Sequence, residues 1–108
     1  MSRLENRLRQ ALLEAVDEGL LLILGDSGRK ATYFHLQHMY SLTREDIPNN
    51  PAVFASGLEK IFASGAKVIE ESMVKSLYSK LGIKYEKKKG ARFEDYLQDI
   101  IERKENIS

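Results

Sequence analysis

Hydrophobic positions in the first 24 residues recur at steps of three and four, which places their side chains on one face of an α-helix. Ser2 and Glu5 have capping-box spacing, so a helix is expected to begin there. It should end at Leu24, because Gly25 can adopt the left-handed conformation common at helix C-termini. The predicted apolar stripe contains Leu4, Leu8, Ala11, Leu12, Ala15, Val16 and Leu20.

A second helix is predicted from about Gly28 to Ser41, with Asp26 or Ser27 as its N-cap. Its apolar residues spread over more than one face of the helix. This distribution predicts burial on two sides, near the centre of the fold. These residues are Ala31, Tyr33, Phe34, Leu36, Met39 and Tyr40.

The sequence PNNP at 48–51 is the clearest break in the pattern. Before it, a short helical turn is predicted at 43–47, beginning with Thr43 and its capping-box partner Asp46. After it, Asn50 is the expected N-cap of a third helix, with proline at the first helical position. The expected core positions here are Ile47, Phe54, Leu58, Ile61 and Phe62.

The third helix should bend or restart at Ser64-Gly65 and then continue to Gly82. Gly82 followed by Ile83 resembles a Schellman ending, in which the residue after the glycine packs back on the last turn. The apolar stripe of this second part contains Val68 or Ile69, and then Met73, Leu77 and Leu81.

A charged hinge at 83–90 precedes a C-terminal helix predicted at 91–105. The strand-like pattern is confined to a short piece at 83–86. Two arrangements of the last helix stay open: it packs on its own chain, or it packs on a second copy and forms a homodimer. Its apolar face contains Phe93, Tyr96, Leu97, Ile100 and Ile101.

A length of 108 residues fits one all-α domain, 1–108, built as a compact bundle of about four to five helices plus the turn at 43–47. The absence of cysteine excludes disulfides and thiol chemistry. A net charge of +1 gives no overall field that would attract nucleic acid. The longest apolar run, 20–24, is far shorter than the roughly 20 residues of a membrane span, so a cytoplasmic protein is expected.

Residues 24–30, LGDSGRK, contain the Gly-Asp-Ser-Gly of a serine-protease loop and the end of a phosphate-binding loop. A serine nucleophile needs a histidine base, an orienting acid and an oxyanion hole on a larger scaffold. A phosphate-binding loop needs a glycine where this chain has Ile23, and Arg29 separates Gly28 from Lys30. A corner between two helices is the favoured interpretation.

His35 and His38 are three residues apart, so a helix places both imidazoles on one side. A metal-dependent protein or small hydrolase is one alternative, but no third ligand lies nearby in the sequence. The favoured interpretation is one histidine bonded to a neighbouring element and one at the surface. Two carboxylate pairs, Glu70 with Glu71 and Asp95 with Asp99, are expected to be solvated ion-pair faces. No catalytic residue, metal or cofactor is predicted.

The segment 84–92 concentrates positive charge around an aromatic residue. A solvated linker is the favoured interpretation, and contact with nucleic acid or an acidic partner is the alternative. The candidate partner-contact residues are Lys84, Tyr85, Lys87, Lys88, Lys89 and Arg92.

The stretch 22–83 resembles a small archaeal family, the Nitrosopumilus output domain, number five in its series. The resemblance is carried by Leu24-Gly25, His35-Leu36, Asp46-Ile47-Pro48, Pro51, Phe54, Ile61-Phe62, Gly65-Ala66, Leu77-Tyr78 and Leu81-Gly82-Ile83. In this chain Ala63-Ser64 precede Gly65, where the family usually has glycine directly after Ile-Phe. The resemblance implies a helical module found alone or joined to signalling domains, with no assigned activity. We therefore expect a non-enzymatic protein-interaction or signalling-output module.

Overall fold

The computed structural model describes residues 6–107, with side chains described to residue 103. The described part contains no strand, so the all-α prediction is confirmed and the extended piece expected at 83–86 is not a strand. The predicted capping box at Ser2 and Glu5 lies outside the described residues. The elements are α1 (Asn6–Tyr40), a 3-10 turn (Arg44–Asn49), α2 (Pro51–Phe62), a 3-10 turn (Ala63–Gly65), α3 (Ala66–Lys80) and α4 (Phe93–Ile107).

Helix α1 bends sharply at Gly25, which has φ 79° and ψ 176°, a backbone region open essentially to glycine alone. The Tyr33 hydroxyl donates a hydrogen bond to Asp17, 16 residues earlier in the chain. A straight helix would separate these residues by about 24 Å along its axis. The corner predicted at Gly25 is confirmed, and we call residues 6–24 and 26–40 the first and second arms of α1.

The second arm is less buried than its sequence suggests. Only Thr32 and Leu36 are buried on it, whereas the Phe34 side chain is 64% exposed. The buried positions are four residues apart and form one narrow face, which packs on α2 where Gly57 allows close approach. A Cβ atom on Gly57 would lie 2.6 Å from Cδ2 of Leu36. The prediction of burial on two sides was wrong: Tyr33 and Tyr40 are partly buried beside this face, and the opposite side, with Phe34 and Met39, is exposed.

The centre of the bundle lies between the first arm of α1 and α3. Gly19 permits this contact, since a Cβ atom there would lie 2.5 Å from Cγ and 3.1 Å from the backbone nitrogen of Met73. Helices α2 and α4 complete the core. Its largest buried side chains are Tyr78, Phe54, Phe93, Leu20, Leu36, Ile47, Leu58, Met73, Leu77 and Ile100.

The predicted turn before α2 forms, but it runs from Arg44 to Asn49 and includes Pro48, which was expected to end it. The Asp46 carboxylate accepts hydrogen bonds from the backbone N–H and the hydroxyl of Thr43, at 3.1 and 2.8 Å. Ile47 is fully buried, which confirms its place in the core. Asn50 is the N-cap residue of α2 and Pro51 its first residue. Local sequence signals therefore determine this junction.

The ends of α3 also follow the prediction. The 3-10 turn at 63–65 separates α2 from α3, and Ile69 is buried while Val68 is exposed. At the other end Gly82 has φ 70°, and the Ile83 N–H donates to the Tyr78 carbonyl at 3.0 Å. This bond is the long hydrogen bond of a Schellman motif, so the predicted helix ending is confirmed.

Helix α4 packs on its own chain, against α2 and α3. Four of the five predicted face residues are buried, and Ile101 is partly buried against the same core. The ring of Phe93 meets that of Phe54 edge-on at 5.5 Å. The packing within one chain therefore covers this face, and a homodimer through α4 stays a prediction. The helix begins at Phe93 and ends at Ile107, two residues later at each end than expected.

Candidate interaction surfaces

The LGDSGRK segment is the corner of α1, and helical backbone geometry resumes at Asp26 directly after Gly25. An N-cap residue needs non-helical backbone angles, so neither Asp26 nor Ser27 can act as one here. Among the described residues, no hydrogen bond joins either side chain to a backbone N–H. The Asp26 carboxylate instead accepts a hydrogen bond from Arg29 at 2.7 Å and pairs with Lys30 at 3.2 Å. The corner is confirmed, and the prediction of its capping residue was wrong.

Asp17 joins both arms of α1 to the turn before α2. Its carboxylate accepts hydrogen bonds from Arg44 at 2.7 and 3.1 Å and from the Tyr33 hydroxyl, and Arg29 lies 3.8 Å away. Burial raises the pKa of Asp17, but the hydrogen bonds and the two guanidinium charges outweigh it and hold that pKa below its usual value. We call these four residues the Asp17 cluster. Sequence spacing does not reveal it, because Asp17 and Arg44 are 27 residues apart.

The two histidines lie on the exposed side of the second arm. Phe34 contacts both, with ring centroids 5.9 Å apart in each case, and it stacks parallel to His38. The prediction that one histidine bonds to a neighbouring element was wrong, since that face of the arm has none. Across the described part of the chain, no group of three or more His, Cys, Asp or Glu residues is placed to hold a metal ion.

The predicted basic contact residues lie in the irregular loop before α4, and Arg92 is the last residue of that loop. Three of their five cationic side chains form ion pairs within the loop or with α4. These pairs join Lys88 to Asp99 at 3.1 Å, Lys84 to Glu86 at 3.5 Å and Arg92 to Glu94 at 3.9 Å. Pairing reduces the positive potential that the loop presents to a phosphate backbone.

Tyr85 fixes the loop to the body of the protein. Its ring lies 5.6 Å from that of Tyr78 and 5.8 Å from that of Tyr96. The Tyr96 hydroxyl in turn accepts a hydrogen bond from the backbone N–H of Lys88 at 2.9 Å. Burial, together with the neighbouring Tyr96, raises the pKa of Tyr85 to about 12. The segment expected to be a hinge is therefore anchored by aromatic contacts.

A cleft of about 630 Å³ lies between α2, α3, the loop and the first turn of α4, and we call it the loop cleft. Side chains of both charges line it together with apolar ones. Burial and the charges of Glu59 and Glu94 raise the pKa of Glu70 to about 7, and Lys67 opposes them. The lining includes Ala55, Glu59, Lys67, Glu70, Glu71, Val74, Tyr85, Lys87, Lys88, Arg92, Phe93, Glu94 and Tyr96.

The expectation of solvated ion pairs holds for some of the predicted carboxylates and fails for Glu70. Glu71 fits it, with its carboxylate 3.8 Å from the Lys75 ammonium. Asp99 pairs with Arg103 at 3.1 Å, but its side chain is only 18% exposed and also accepts a hydrogen bond from the Tyr78 hydroxyl. Glu70 has one oxygen, Oε2, that is buried without a hydrogen-bond partner. Neighbouring positions on a helix face different surroundings, so adjacent glutamates in sequence have opposite environments.

Several large apolar side chains are exposed, and most lie on α1. Leu21, Leu22 and Ile23 form a consecutive exposed run at the end of the first arm, and Leu22 is 76% exposed. We call these three residues the corner surface. Single exposed apolar residues are ordinary, whereas several exposed at neighbouring positions favour a contact site. The other exposed members of this class are Phe34, Met39, Val53 and Val68.

Within the described residues, no helix combines the length and the apolar character that crossing a membrane requires. Comparison of the chain with family models, with curated proteins and with solved structures gives no match.

Proposed function

We propose that this chain is a non-enzymatic protein-interaction module and that the corner surface contacts the partner. The exposure of three consecutive aliphatic residues beside a rigid glycine corner carries this proposal. Burying apolar area contributes roughly 25 cal/mol per Å², so exposed leucines are effective contact residues once a partner covers them. The resemblance of 22–83 to archaeal output domains favours the same function. The module would act in the cytoplasm of an archaeal cell.

The arrangement of polar groups supports a binding role over an enzymatic one. The histidines contact Phe34 at the surface, His35 edge-on and His38 stacked, and neither lines the loop cleft with its carboxylates. A general base needs a substrate proton within hydrogen-bond reach and a group that orients the base. Within the described part of the chain, neither histidine has such an orienting carboxylate among its hydrogen bonds or ion pairs.

The alternative, a nucleic-acid regulator that uses 84–92, has less support. Three of its cations are already paired, and the Tyr85 ring packs against two other tyrosines instead of being free to stack on bases.

The test compares wild type with Leu22→Ser and with the matched control Val68→Ser, an exposed aliphatic residue on α3. Light scattering over a range of concentrations measures self-association. For a second copy as partner, wild type and Val68→Ser dimerise while Leu22→Ser stays monomeric. For another protein as partner, a protein captured by wild type and then purified should bind Leu22→Ser about tenfold more weakly, and Val68→Ser normally.

Two results would contradict the proposal. One is a partner, or a dimer, that Leu22→Ser retains at full affinity. The other is salt-dependent binding of duplex DNA that is lost in Lys87→Ala/Lys89→Ala and kept in Leu22→Ser, which would support the nucleic-acid alternative.

A further inference from the structure

Three glutamates from three different helices line the loop cleft. Glu59 comes from α2, Glu70 from α3 and Glu94 from α4. Oxygen Oε2 of Glu70 and oxygen Oε1 of Glu94 are buried and have no hydrogen-bond partner. A buried carboxylate without a partner is costly, and the neutral acid is much less so. The cleft therefore gathers carboxyl groups under conditions that favour protonation of one of them.

The other charged groups around Glu70 only partly offset these carboxylates. Lys67, on the same helix, is the cation whose charge acts on Glu70. Arg92 lies 3.9 Å from the other oxygen of Glu94, and Lys88 pairs with Asp99. Glu71 is paired with Lys75, and Lys87 also lines the cleft. The hydroxyl groups among the lining residues are those of Ser56, Tyr85 and Tyr96.

Glu70 changes its charge close to neutral pH. Burial is the main cause, the charges of Glu59 and Glu94 add to it, and the pKa of Glu70 rises to about 7. Like charges in one site disfavour simultaneous ionisation, and this is the same effect that separates the two protons of a carboxylate pair. A small change of pH around neutrality therefore adds one negative charge to the cleft or removes it, at the position that faces Glu59 and Glu94.

We infer that Glu70 is a proton-operated latch that holds the loop 83–92 and the start of α4 against α3. With Glu70 neutral, the loop and α4 close over the cleft. With Glu70 ionised, three negative charges from α2, α3 and α4 converge, and the loop and the first turn of α4 loosen. The latch lies in the loop cleft, goes beyond the proposed contact at the corner surface and does not depend on it.

The experiment follows the Glu70 carboxyl carbon and the backbone amides of Gly90, Ala91 and Phe93 by NMR, from about pH 5 to about pH 9. The variants are Glu70→Gln, Glu94→Gln and the control Glu71→Gln, which removes the same charge from the adjacent position. In wild type and Glu71→Gln, the carboxyl and the amides should titrate together near pH 7. Glu70→Gln should abolish the amide transition, and Glu94→Gln should move it to lower pH.

Trypsin cleavage after Lys87, Lys88 and Lys89 gives a second readout at about pH 8, because proteolysis follows the population of the open loop. Wild type and Glu71→Gln should be cleaved several-fold faster than Glu70→Gln. A Glu70 carboxyl that titrates below about pH 5, loop amides that do not follow it, or equal cleavage of wild type and Glu70→Gln would overturn the latch. Slower cleavage of Glu71→Gln to the same extent would also overturn it, since the effect would then be one of general charge.

Discussion

Asp17 and Glu70 are both partly buried carboxylates at junctions of several elements, yet their pKa values move in opposite directions. Burial raises the pKa at both sites. At Asp17, two guanidinium groups and a tyrosine hydroxyl outweigh burial and stabilise the charge. At Glu70, two further glutamates add to burial, and one lysine opposes them.

Burial raises the pKa of both carboxyl groups, and the charges and hydrogen bonds around each one decide whether its pKa ends above or below the usual value. The Asp17 cluster stabilises the corner of α1 at neutral pH. In the proposed latch, the ionised Glu70 instead destabilises the closed loop cleft. The charge of the carboxylate thus stabilises one junction and destabilises the other, and the following variants test that contrast.

The largest effect is expected for Asp17→Ala, which removes the acceptor shared by Arg44 and Tyr33. Hydrogen bonds to charged groups contribute about 1.5–3 kcal/mol each, so the free energy of unfolding should fall by about 3 kcal/mol. Urea denaturation measures it. Asp26→Ala, which removes the two solvent-exposed ion pairs with Arg29 and Lys30 at the same corner, should change stability little. Equal losses in both variants would contradict the role of the cluster.

Gly25→Ala should have the next largest effect, because alanine is strained at φ 79° and ψ 176°. A residue forced into such a region costs about 1–3 kcal/mol, so a loss of about 2 kcal/mol is expected. The matched control is Gly65→Ala, where φ is −67° and the nearest atom to a new Cβ is 3.8 Å away. That variant should be neutral or more stable by up to about 1 kcal/mol, and thermal unfolding compares the two.

A smaller and pH-dependent effect is expected for Glu70→Gln. Because the pKa of Glu70 is raised from 4.5 to about 7, the native state holds a proton that the unfolded state has lost between these values. Stability from this group therefore falls as pH rises through that window and levels off above it. Glu70→Gln should flatten this dependence and gain about 1 kcal/mol at about pH 8, a value reduced for solvent screening.

Asp17 makes stability depend on pH in the opposite sense, and it does so at acidic pH. Its pKa is lowered from 3.8, so its contribution is complete above that value and is lost as pH falls through the lower native pKa. Denaturant titrations at several pH values should show wild type losing stability below about pH 4, and Asp17→Ala losing less of it. Parallel curves for the two proteins would contradict the assignment.

The smallest change in stability is expected at the corner surface. Leu22→Ser alters a side chain that is 76% exposed, so the free energy of unfolding should stay within about 0.5 kcal/mol of wild type. Circular dichroism during thermal unfolding checks this value. A larger loss would mean that Leu22 supports the fold. Weaker binding of Leu22→Ser could then result from unfolding and would not identify the corner surface as the contact site.

Much of the backbone follows from signals that act over a few residues. Thr43 and Asp46 form their predicted pairing, Pro51 begins α2, and Gly82 ends α3 with the expected Schellman bond. Gly25 turns the chain where the hydrophobic pattern breaks. These features are predictable because the hydrogen bonds and backbone angles involved belong to residues at most five positions apart.

The surroundings of each helix face could not be predicted in the same way. Phe34 and Leu36 are both apolar residues of the second arm, but one is exposed and the other is buried against α2. A periodic pattern shows which residues share a face, and only the arrangement of neighbouring helices decides which faces are covered. The same reason explains why a histidine contact was expected on a face that has no neighbour.

The sequence by itself determined the helical class, the corner at Gly25 and the apolar face of α4, because each depends on local geometry or on strict periodicity. The tertiary structure alone decided that Asp17 meets Arg44 and that Glu70 faces Glu59 and Glu94. Charge interactions depend on distance in space and on burial, and residues from separate helices acquire both only when the chain has folded.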